Sequence, residues 1–308
     1  MKSAVEAATG RPVRAIGRIG GGDINEAYKV QFEDESFGFV KTRPDAGPGE
    51  YAAEAAGLRW LSEPGALHVP EVLGVSDTVL VLDWVDEGAR GDATAFGTGL
   101  AEIHAAGADA WGATPAAGGD AGPGDAGPGD AGPGDAGPGD AGPGGAESPR
   151  APTRVGRLLL PNDPCPDWPT FYATRRLLPL LPEAGLSPRG NRAVESVCDR
   201  IAELAGPPEP PSRLHGDLWS GNVHWDRQGR AWLIDPAAYG GHREVDLAML
   251  QLFGHPGETF FAAYDERHPL APGWQDRVPL YQLFPLLVHS ALFGGGYAAS
   301  AERVAAAL

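Results

Sequence analysis

Residues 214–222, LHGDLWSGN, contain side chains of the kinds that transfer a phosphoryl group. Asp217 and Asn222 are separated by four residues, which is the spacing of the catalytic loop in kinases. In such a loop the carboxylate accepts the proton of the acceptor hydroxyl, and the amide oxygen binds Mg²⁺. Thirteen residues beyond Asn222, Asp235 follows the apolar run WLI. Carboxylate and amide oxygens suit Mg²⁺, so Asn222 and Asp235 are candidate metal ligands and Asp217 is a candidate catalytic base.

Each of these motifs also has an ordinary structural interpretation. Gly, Ser, Asp and Asn are the common residues of surface turns, so LHGDLWSGN by itself could be a polar turn. An aspartate at the end of a strand often only caps a turn or a helix. The catalytic interpretation is favoured because both motifs occur together, at the distance that a metal site requires.

The first 90 residues contain candidates for binding ATP. Lys41 ends the apolar stretch FGFVK, and Glu54 lies in the following Ala-rich helix. An ion pair between them would hold the lysine against the phosphates, although a lysine at a strand end is more often simply solvated. A glycine-rich turn could cover the phosphates with its N–H groups, and the backbone of LDWV could bind the adenine edge. These two segments supply Gly20, Gly21, Gly22, Asp23, Asp83 and Val85.

The pattern of apolar residues predicts two regions of different character. Residues 15–33 predict a hairpin, and 37–42, 69–76 and 78–85 predict strands, around a helix at 49–63. From 93 onward the pattern is mainly helical. We therefore expect an α+β, bilobal fold of the protein-kinase type, with a small β-rich lobe at 1–88 and a larger helical lobe at 89–308. Within the second lobe the predicted elements are helices at 93–107, 167–181, 191–206, 243–254, 257–268 and 279–308, and a strand within 230–241.

Residues 118–150 contain a five-residue repeat, AGPGD, that interrupts the helical region. The repeat has no apolar side chain larger than alanine or proline, so it cannot bury enough surface to offset its conformational entropy. We expect a disordered acidic insertion in a surface loop; a tether for a partner is the less favoured alternative.

Composition limits the classes of partner and compartment. The formal net charge of −17 argues against a nucleic-acid partner, which requires a basic surface. The two cysteines, Cys165 and Cys198, form no disulfide framework and fit a reducing compartment. No apolar run has the length of a signal peptide core or a membrane span. We expect a cytoplasmic monomer without membrane contact.

The motifs together resemble the fructosamine-3-kinase, or ketosamine kinase, family. That family lies within a kinase-like superfamily of aminoglycoside phosphotransferases and choline kinases, which shares the loop H-G-D-x4-N. Trp219 and Ser220 are typical of the fructosamine kinase branch, whereas aminoglycoside kinases commonly carry His-Pro. The resemblance continues in FVKT, IDPAAYGGHREVDLAM and LFGGGY, and it covers the chain except for the AGPGD repeat.

The resemblance implies ATP- and Mg²⁺-dependent phosphorylation of the 3-hydroxyl of ketosamines, such as fructosamine or ribulosamine adducts of free amines or protein lysines. The phosphorylated adduct is unstable, so the reaction restores the amine. Asp217 is then the base, and Lys41 with Glu54 anchors the phosphates. His215 and Asp246 support the catalytic loop. Trp219 lines the sugar site, or alternatively is a core tryptophan. His242 stands where relatives often carry Asp, a change that could alter the substrate edge.

Two other functions are compatible with the same residues. The first is a small-molecule kinase that phosphorylates a different hydroxyl, as aminoglycoside and choline kinases do. The second is a pseudokinase, a nucleotide-binding scaffold whose working part is the acidic repeat. The presence of all the catalytic side chains argues against the scaffold, and the Trp219–Ser220 pair argues against the other acceptors.

Overall fold

The N-terminal part of the chain is a five-stranded antiparallel sheet with a helix on each face. The computed structural model describes residues 1–20, 25–115 and 150–308. The elements are α1 (Lys2–Thr9), β1 (Val13–Ile19), β2 (Glu26–Phe32), β3 (Phe37–Thr42), α2 (Glu50–Ser62), β4 (Val72–Val75) and β5 (Leu80–Asp83). The strands follow the spatial order β1-β2-β3-β5-β4.

The two faces of this sheet are apolar, and each is covered by one helix. On one face Val5 of α1 packs with Val30, Val40 and Val81. On the other face side chains of α2 pack against β5, in a cluster of Tyr51, Ala55, Leu58, Leu80 and Leu82. The hairpin, the later strands and α2 are confirmed. Helix α1 was not predicted from the sequence.

The remaining described residues are mainly helical, as the sequence predicts. The predicted helix at 191–206 is two helices, because the backbone of Arg200 leaves the helical region. The predicted helix at 167–181 changes its hydrogen-bonding pattern, passing through a π-helical turn (172–177) and a 3₁₀ turn (178–180) that contains Pro179, which has no N–H to donate. The α-helices are α3 (Ala93–Ala105), α4 (Trp168–Phe171), α5 (Pro188–Asp199), α6 (Ile201–Leu204), α7 (Glu244–Leu252), α8 (Glu258–Arg267), α9 (Trp274–Phe293) and α10 (Tyr297–Ala307).

Three short antiparallel strand pairs lie among these helices. Strand β6 (Thr153–Val155) pairs with β7 (Leu158–Leu160), β8 (Ser212–Leu214) with β11 (Tyr239–Gly241), and β9 (Val223–Trp225) with β10 (Ala231–Leu233). Only β10 was predicted, because three residues are too few to establish an alternating pattern. Strands β8 and β9 flank the loop that contains Asp217, and β10 leads into Asp235.

Large apolar clusters stabilise the helical part. The largest joins α4, α5, α9 and α10, and it includes Phe171, Tyr281 and Leu287, all inaccessible to solvent. The apolar stripe of α9 is thus part of the core. Among the described residues, no helix has both the length and the hydrophobicity that a membrane span requires. Cys165 and Cys198 are free thiols. The predicted insertion at 118–150 lies outside the described residues except for its last position, and the predicted division at 88/89 stays a prediction.

Candidate active site

A cleft of about 980 Å³ lies between the five-stranded sheet and the helical part of the chain. Both parts contribute to its walls, and most of the site residues predicted from the sequence lie there. Three predicted residues of the glycine-rich turn, Gly21, Gly22 and Asp23, fall outside the described residues. The predicted residues that line the cleft are Gly20, Lys41, Glu54, Asp83, Val85, Asp217, Trp219, Asn222 and Asp235.

Lys41 is held at the end of β3 by two carboxylates. Its ammonium donates to Glu54 Oε1 and Oε2 at 3.0 and 2.8 Å, and it lies 3.1 Å from Asp235 Oδ1. The residue is only 8% exposed. Burial acts to lower the pKa of Lys41, but the nearby Glu54 and Asp235 outweigh it and raise the pKa. The lysine is therefore a fixed cation in the cleft wall. Its contact with Glu54 is the ion pair expected from the sequence.

The loop from Asp217 to Asn222 closes on itself through the asparagine amide. Asn222 Nδ2 donates to the backbone oxygen of Asp217 at 2.8 Å and to Asp217 Oδ2 at 3.1 Å. The backbone N–H of Ile234 donates to the Asn222 carbonyl at 3.1 Å, which ties the loop to the residue before Asp235. Asn222 Oδ1 accepts no hydrogen bond from any described residue. The amide is thus oriented with its nitrogen toward Asp217 and its oxygen available to a ligand.

Asp217 has the electrostatic setting of a general base. Burial raises the pKa of its carboxyl to about 6, although the hydrogen bond from Asn222 acts in the opposite direction. The neighbouring Asp235 and Asp246 raise it further, and Lys41 lowers it. A carboxylate with a raised pKa is a stronger proton acceptor while it stays mostly ionised at neutral pH.

The backbone at the start of the loop is fixed by Asp246, a completely buried residue of α7. Its Oδ2 accepts from the N–H of His215 at 2.7 Å, and its Oδ1 accepts from the N–H of Gly216 at 3.0 Å. His104 of α3 lies 3.2 Å from the same carboxylate and 2.7 Å from the hydroxyl of Tyr264. Helices α3 and α7 therefore fix the backbone that leads into Asp217. This is the geometry that a supporting role for Asp246 requires.

His215 links the loop to the strand that carries Asp235. Its Nδ1 accepts from the backbone N–H of Asp217 at 3.3 Å, so its Nε2 carries the proton and donates to the Ile234 carbonyl at 2.9 Å. Burial lowers the pKa of His215, which keeps the ring neutral in this tautomer. The histidine is therefore a structural brace between the two acidic segments and does not face the cleft.

Two unusual backbone conformations shape the site. Gly216 has φ of 81°, and a Cβ there would collide with the carbonyl oxygen of Ala237, so only glycine fits. Asp235 has φ of 53°, in the left-handed region that residues other than glycine seldom occupy. This turn follows the end of β10 and brings the Asp235 carboxylate within reach of Lys41. Backbone strain of this kind commonly occurs at functional positions.

Asn222 and Asp235 form a donor set that fits Mg²⁺. Both residues line the cleft and carry side-chain oxygen atoms, and the Asp235 side chain is 41% exposed. The described residues contain no cluster of three or more His, Cys, Asp or Glu that could hold a metal alone. Mg²⁺ needs no such cluster, since it is usually held by one or two protein side chains together with substrate phosphates.

The structure also corrects two interpretations and adds residues that sequence reasoning missed. Trp219 is 38% exposed in the cleft, so the alternative of a core tryptophan is wrong. His242 is buried between Trp168 and Tyr281, stacked on the tyrosine at 5.2 Å, and it is not a cleft residue, so the expectation that it alters the substrate edge is wrong. The cleft residues that were not predicted include Arg43, Glu50, His224, the segment 151–156 and Phe293.

A family comparison identifies the relatives of this chain. The family model described as Fructosamine kinase matches residues 1–116 and 150–308, on both sides of the AGPGD repeat. The chain belongs to the fructosamine kinase family. A curated relative named protein-ribulosamine 3-kinase, chloroplastic, from Arabidopsis thaliana is 30% identical over 305 residues, which cover 95% of this chain and 82% of the relative. A relative from Thermus thermophilus named "Probable ketoamine kinase" is 32% identical over 293 residues, covering 93% and 91%.

Solved structures confirm the fold of this fructosamine kinase family member. The crystal structure of a candidate fructosamine-3-kinase from Thermobifida fusca superimposes with a TM-score of 0.82 at 39% identity, over 100% of this chain and 99% of that one. A macrolide 2'-phosphotransferase type I superimposes with a TM-score of 0.57 at 15% identity, over 99% and 95%, which shows the fold alone. The α+β, bilobal, kinase-like fold is thus confirmed, and the enzyme is a phosphotransferase that acts on a hydroxyl group with a nucleotide as donor.

Proposed function

We propose that the protein is an ATP- and Mg²⁺-dependent ketosamine 3-kinase. The observation that carries the proposal is the position of Lys41, which contacts both Glu54 and Asp235 in the same cleft as Asp217 and Asn222. This set contains the anchoring cation, the metal ligands and the base that phosphoryl transfer requires. The names of the relatives, ketoamine kinase and ribulosamine 3-kinase, support the choice of acceptor.

The nucleotide would occupy the part of the cleft next to the sheet. There residues 83–85 line the cavity, where their backbone could hydrogen-bond the adenine edge, and Gly20 also lines it. Lys41 would neutralise phosphate oxygens, with Glu54 fixing its direction. Asn222 and Asp235 would hold Mg²⁺, which neutralises charge on the phosphates when bound.

Asp217 would act on the acceptor. As the 3-hydroxyl oxygen of the ketosamine forms its bond to the γ-phosphorus, the hydroxyl proton moves to the Asp217 carboxylate and the bond to the ADP oxygen breaks. Asn222 holds the aspartate through two hydrogen bonds, and Asp246 fixes the backbone that precedes it. The side chain is thus positioned before the substrate arrives, which lowers the entropic part of the barrier.

The substrate class and setting complete the proposal. The acceptor is a ketosamine formed from a ketose and an amine, free or on a protein, with Trp219 against the sugar. We propose that the protein works in the cytoplasm as a monomer, and that its reaction leads to deglycation. Aminoglycoside- or choline-type acceptors are the competing choice, and the Trp219–Ser220 pair argues against them.

The direct test is acceptor-dependent ADP release across ribulosamine, erythrulosamine, fructosamine and an aminoglycoside. We expect turnover with one or more ketosamines and none with the aminoglycoside. The variant Asp217→Asn should retain ATP binding and lose turnover by at least about 100-fold. Phosphorylation of the aminoglycoside without any ketosamine would replace the proposed acceptor. Full activity of Asp217→Asn would remove the proposed base.

A further inference from the structure

Phe293 is an exposed aromatic residue in the wall of the catalytic cleft. It is the last residue of α9, its relative exposure is 51%, and it lines the cavity together with Trp219. Exposing a large apolar ring to water is unfavourable, and the contact with His289 of the same helix leaves half of this residue exposed. The chain turns away directly after the ring through Gly294 and Gly295, both with φ of 66°. This sharp turn leaves the ring at the edge of the cleft.

A continuous series of contacts places Phe293 beside the catalytic loop. The N–H of Ser220 donates to the carbonyl of Phe253 at 3.0 Å. The Phe253 ring packs on His289 at 4.5 Å between centroids, and His289 packs on Phe293 at 5.6 Å. The end of α9 is therefore held at a fixed position relative to the loop that contains Asp217 and Trp219.

A second element fixes the same end of α9. Arg157, in the turn between β6 and β7, donates to the carbonyls of Ala291 and Leu292 at 2.5 and 3.2 Å. The residues before this turn, 151–156, form another part of the cleft wall. Phe293 thus lies where the catalytic loop, the β6–β7 hairpin and α9 meet. The proposed adenine site at 83–85 belongs to the sheet, so the ring is assigned to the acceptor.

The chemistry of the acceptor gives this ring a function. A ketosamine carries a secondary amine only a few bonds from its 3-hydroxyl, and this amine is protonated near neutral pH. When the hydroxyl lies at Asp217, the ammonium lies close to the same end of the cleft. Aromatic faces attract cations through their quadrupole, and the enzyme carries a net charge of −17. A neutral sugar gains no binding energy from the aromatic ring's attraction for cations or from the negative charge of the enzyme.

We propose that Phe293 is a specificity-determining residue whose ring, in the same cleft as that of Trp219, binds the protonated amine of the ketosamine. The inference rests on the proposed function, because it needs a ketosamine in the cleft. Such a contact would allow the enzyme to distinguish ketosamines from free ketoses and their ethers. The selection is made by charge, in addition to the shape of the sugar.

The test compares an amine substrate with a neutral analogue. The amine is the fructosamine of a simple alkylamine, and the analogue has an ether oxygen in place of the nitrogen. Phe293→Leu keeps an apolar side chain without the ring, and Phe293→Tyr keeps the ring. We expect Phe293→Leu to raise KM for the amine by about three- to tenfold. Its KM for ATP and for the ether should not change, and Phe293→Tyr should resemble the wild type.

Phe37→Leu is the matched control, because Phe37 is 39% exposed and does not line the cleft. It should leave every KM unchanged, and melting temperatures of all variants establish that they are folded. An unchanged amine KM in Phe293→Leu, or equal increases for amine and ether, would overturn the inference while wild-type ketosamine activity upholds the proposed function. If the wild type phosphorylates no ketosamine, the proposed function itself fails.

Discussion

Replacing Asp246 by asparagine should uncouple the catalytic loop from the helix that fixes it. The two oxygens of this buried carboxylate accept separate backbone N–H groups, from His215 and Gly216. Asparagine has nearly the same shape but offers only one oxygen. Whichever way the amide is turned, its NH₂ group faces one of the two N–H donors. One charge-assisted hydrogen bond is lost, and one buried donor is left without a partner.

The size of the effect follows from these two contacts. A hydrogen bond to a charged group contributes about 1.5–3 kcal/mol, and an unsatisfied buried donor adds about 1–3 kcal/mol. We expect Asp246→Asn to lower the free energy of unfolding by about 3 kcal/mol. The donors belong to the residues immediately before Asp217, so the base also moves. A displacement of about 1 Å costs about 100-fold in rate, and kcat should fall by that factor.

Urea unfolding gives the stability change, and steady-state assays of the folded variant give kcat and both KM values. Asp226→Asn is the matched control. Asp226 is only 4% exposed, and its carboxylate also accepts several N–H groups, but it belongs to the β9–β10 turn and not to the catalytic loop. This control should lose stability and keep kcat within about threefold. If Asp246→Asn instead behaves like Asp226→Asn in both measurements, the reasoning about the loop is refuted.

Three further predictions concern the phosphate anchor, the pH dependence of stability and the repeat. Lys41→Met should lower kcat/KM for ATP by about 100-fold, because a fixed positive charge next to the phosphates is lost. The control variant Lys2→Met should keep the wild-type kcat/KM. If Lys41→Met also keeps it, Lys41 does not anchor the phosphates. Burial lowers the pKa of His242 from 6.5 to about 4, so the unfolded chain binds the proton first as the pH falls. The free energy of unfolding therefore falls progressively as the pH drops from 6.5 to 4, and at pH 5 it is lower by about 2 kcal/mol. The loss of unfolding free energy between pH 7 and pH 5, measured with urea, should be smaller in His242→Phe than in the wild type. An equal loss in both proteins would show that His242 does not cause it. Deletion of 118–145 should keep kcat within about twofold, because the family model matches only the flanking residues; a tenfold loss in the ADP assay would contradict this.

The parts of the site that could be predicted from the sequence are those set by local spacing. Asp217 and Asn222 lie on one loop, and Asp235 ends the strand that follows it. Lys41 and Glu54 lie on adjacent elements of the sheet region. In each case the chain between the residues is short, so few conformations are available and the spacing indicates the contact.

The parts that could not be predicted depend on contacts between distant segments. His104 and Asp246 are 142 residues apart, and neither position indicates the other until α3 packs beside α7. Phe293 is held at the cleft because His289 of the same helix packs on Phe253, whose carbonyl accepts from Ser220 of the catalytic loop. His242 was misplaced for the same reason: its neighbours in sequence are near the site, but its ring points into a core of Trp168 and Tyr281.

The position of the transferred phosphate tests the central claim most directly. Wild-type enzyme should be incubated with fructosamine, ATP and Mg²⁺, and the product analysed by phosphorus and carbon NMR. We predict one phosphate per ADP released, attached to O3 of the sugar, followed by release of the free amine. No such product should form with Asp217→Asn. Phosphate on another oxygen, or ADP release that is independent of the ketosamine, would contradict the account.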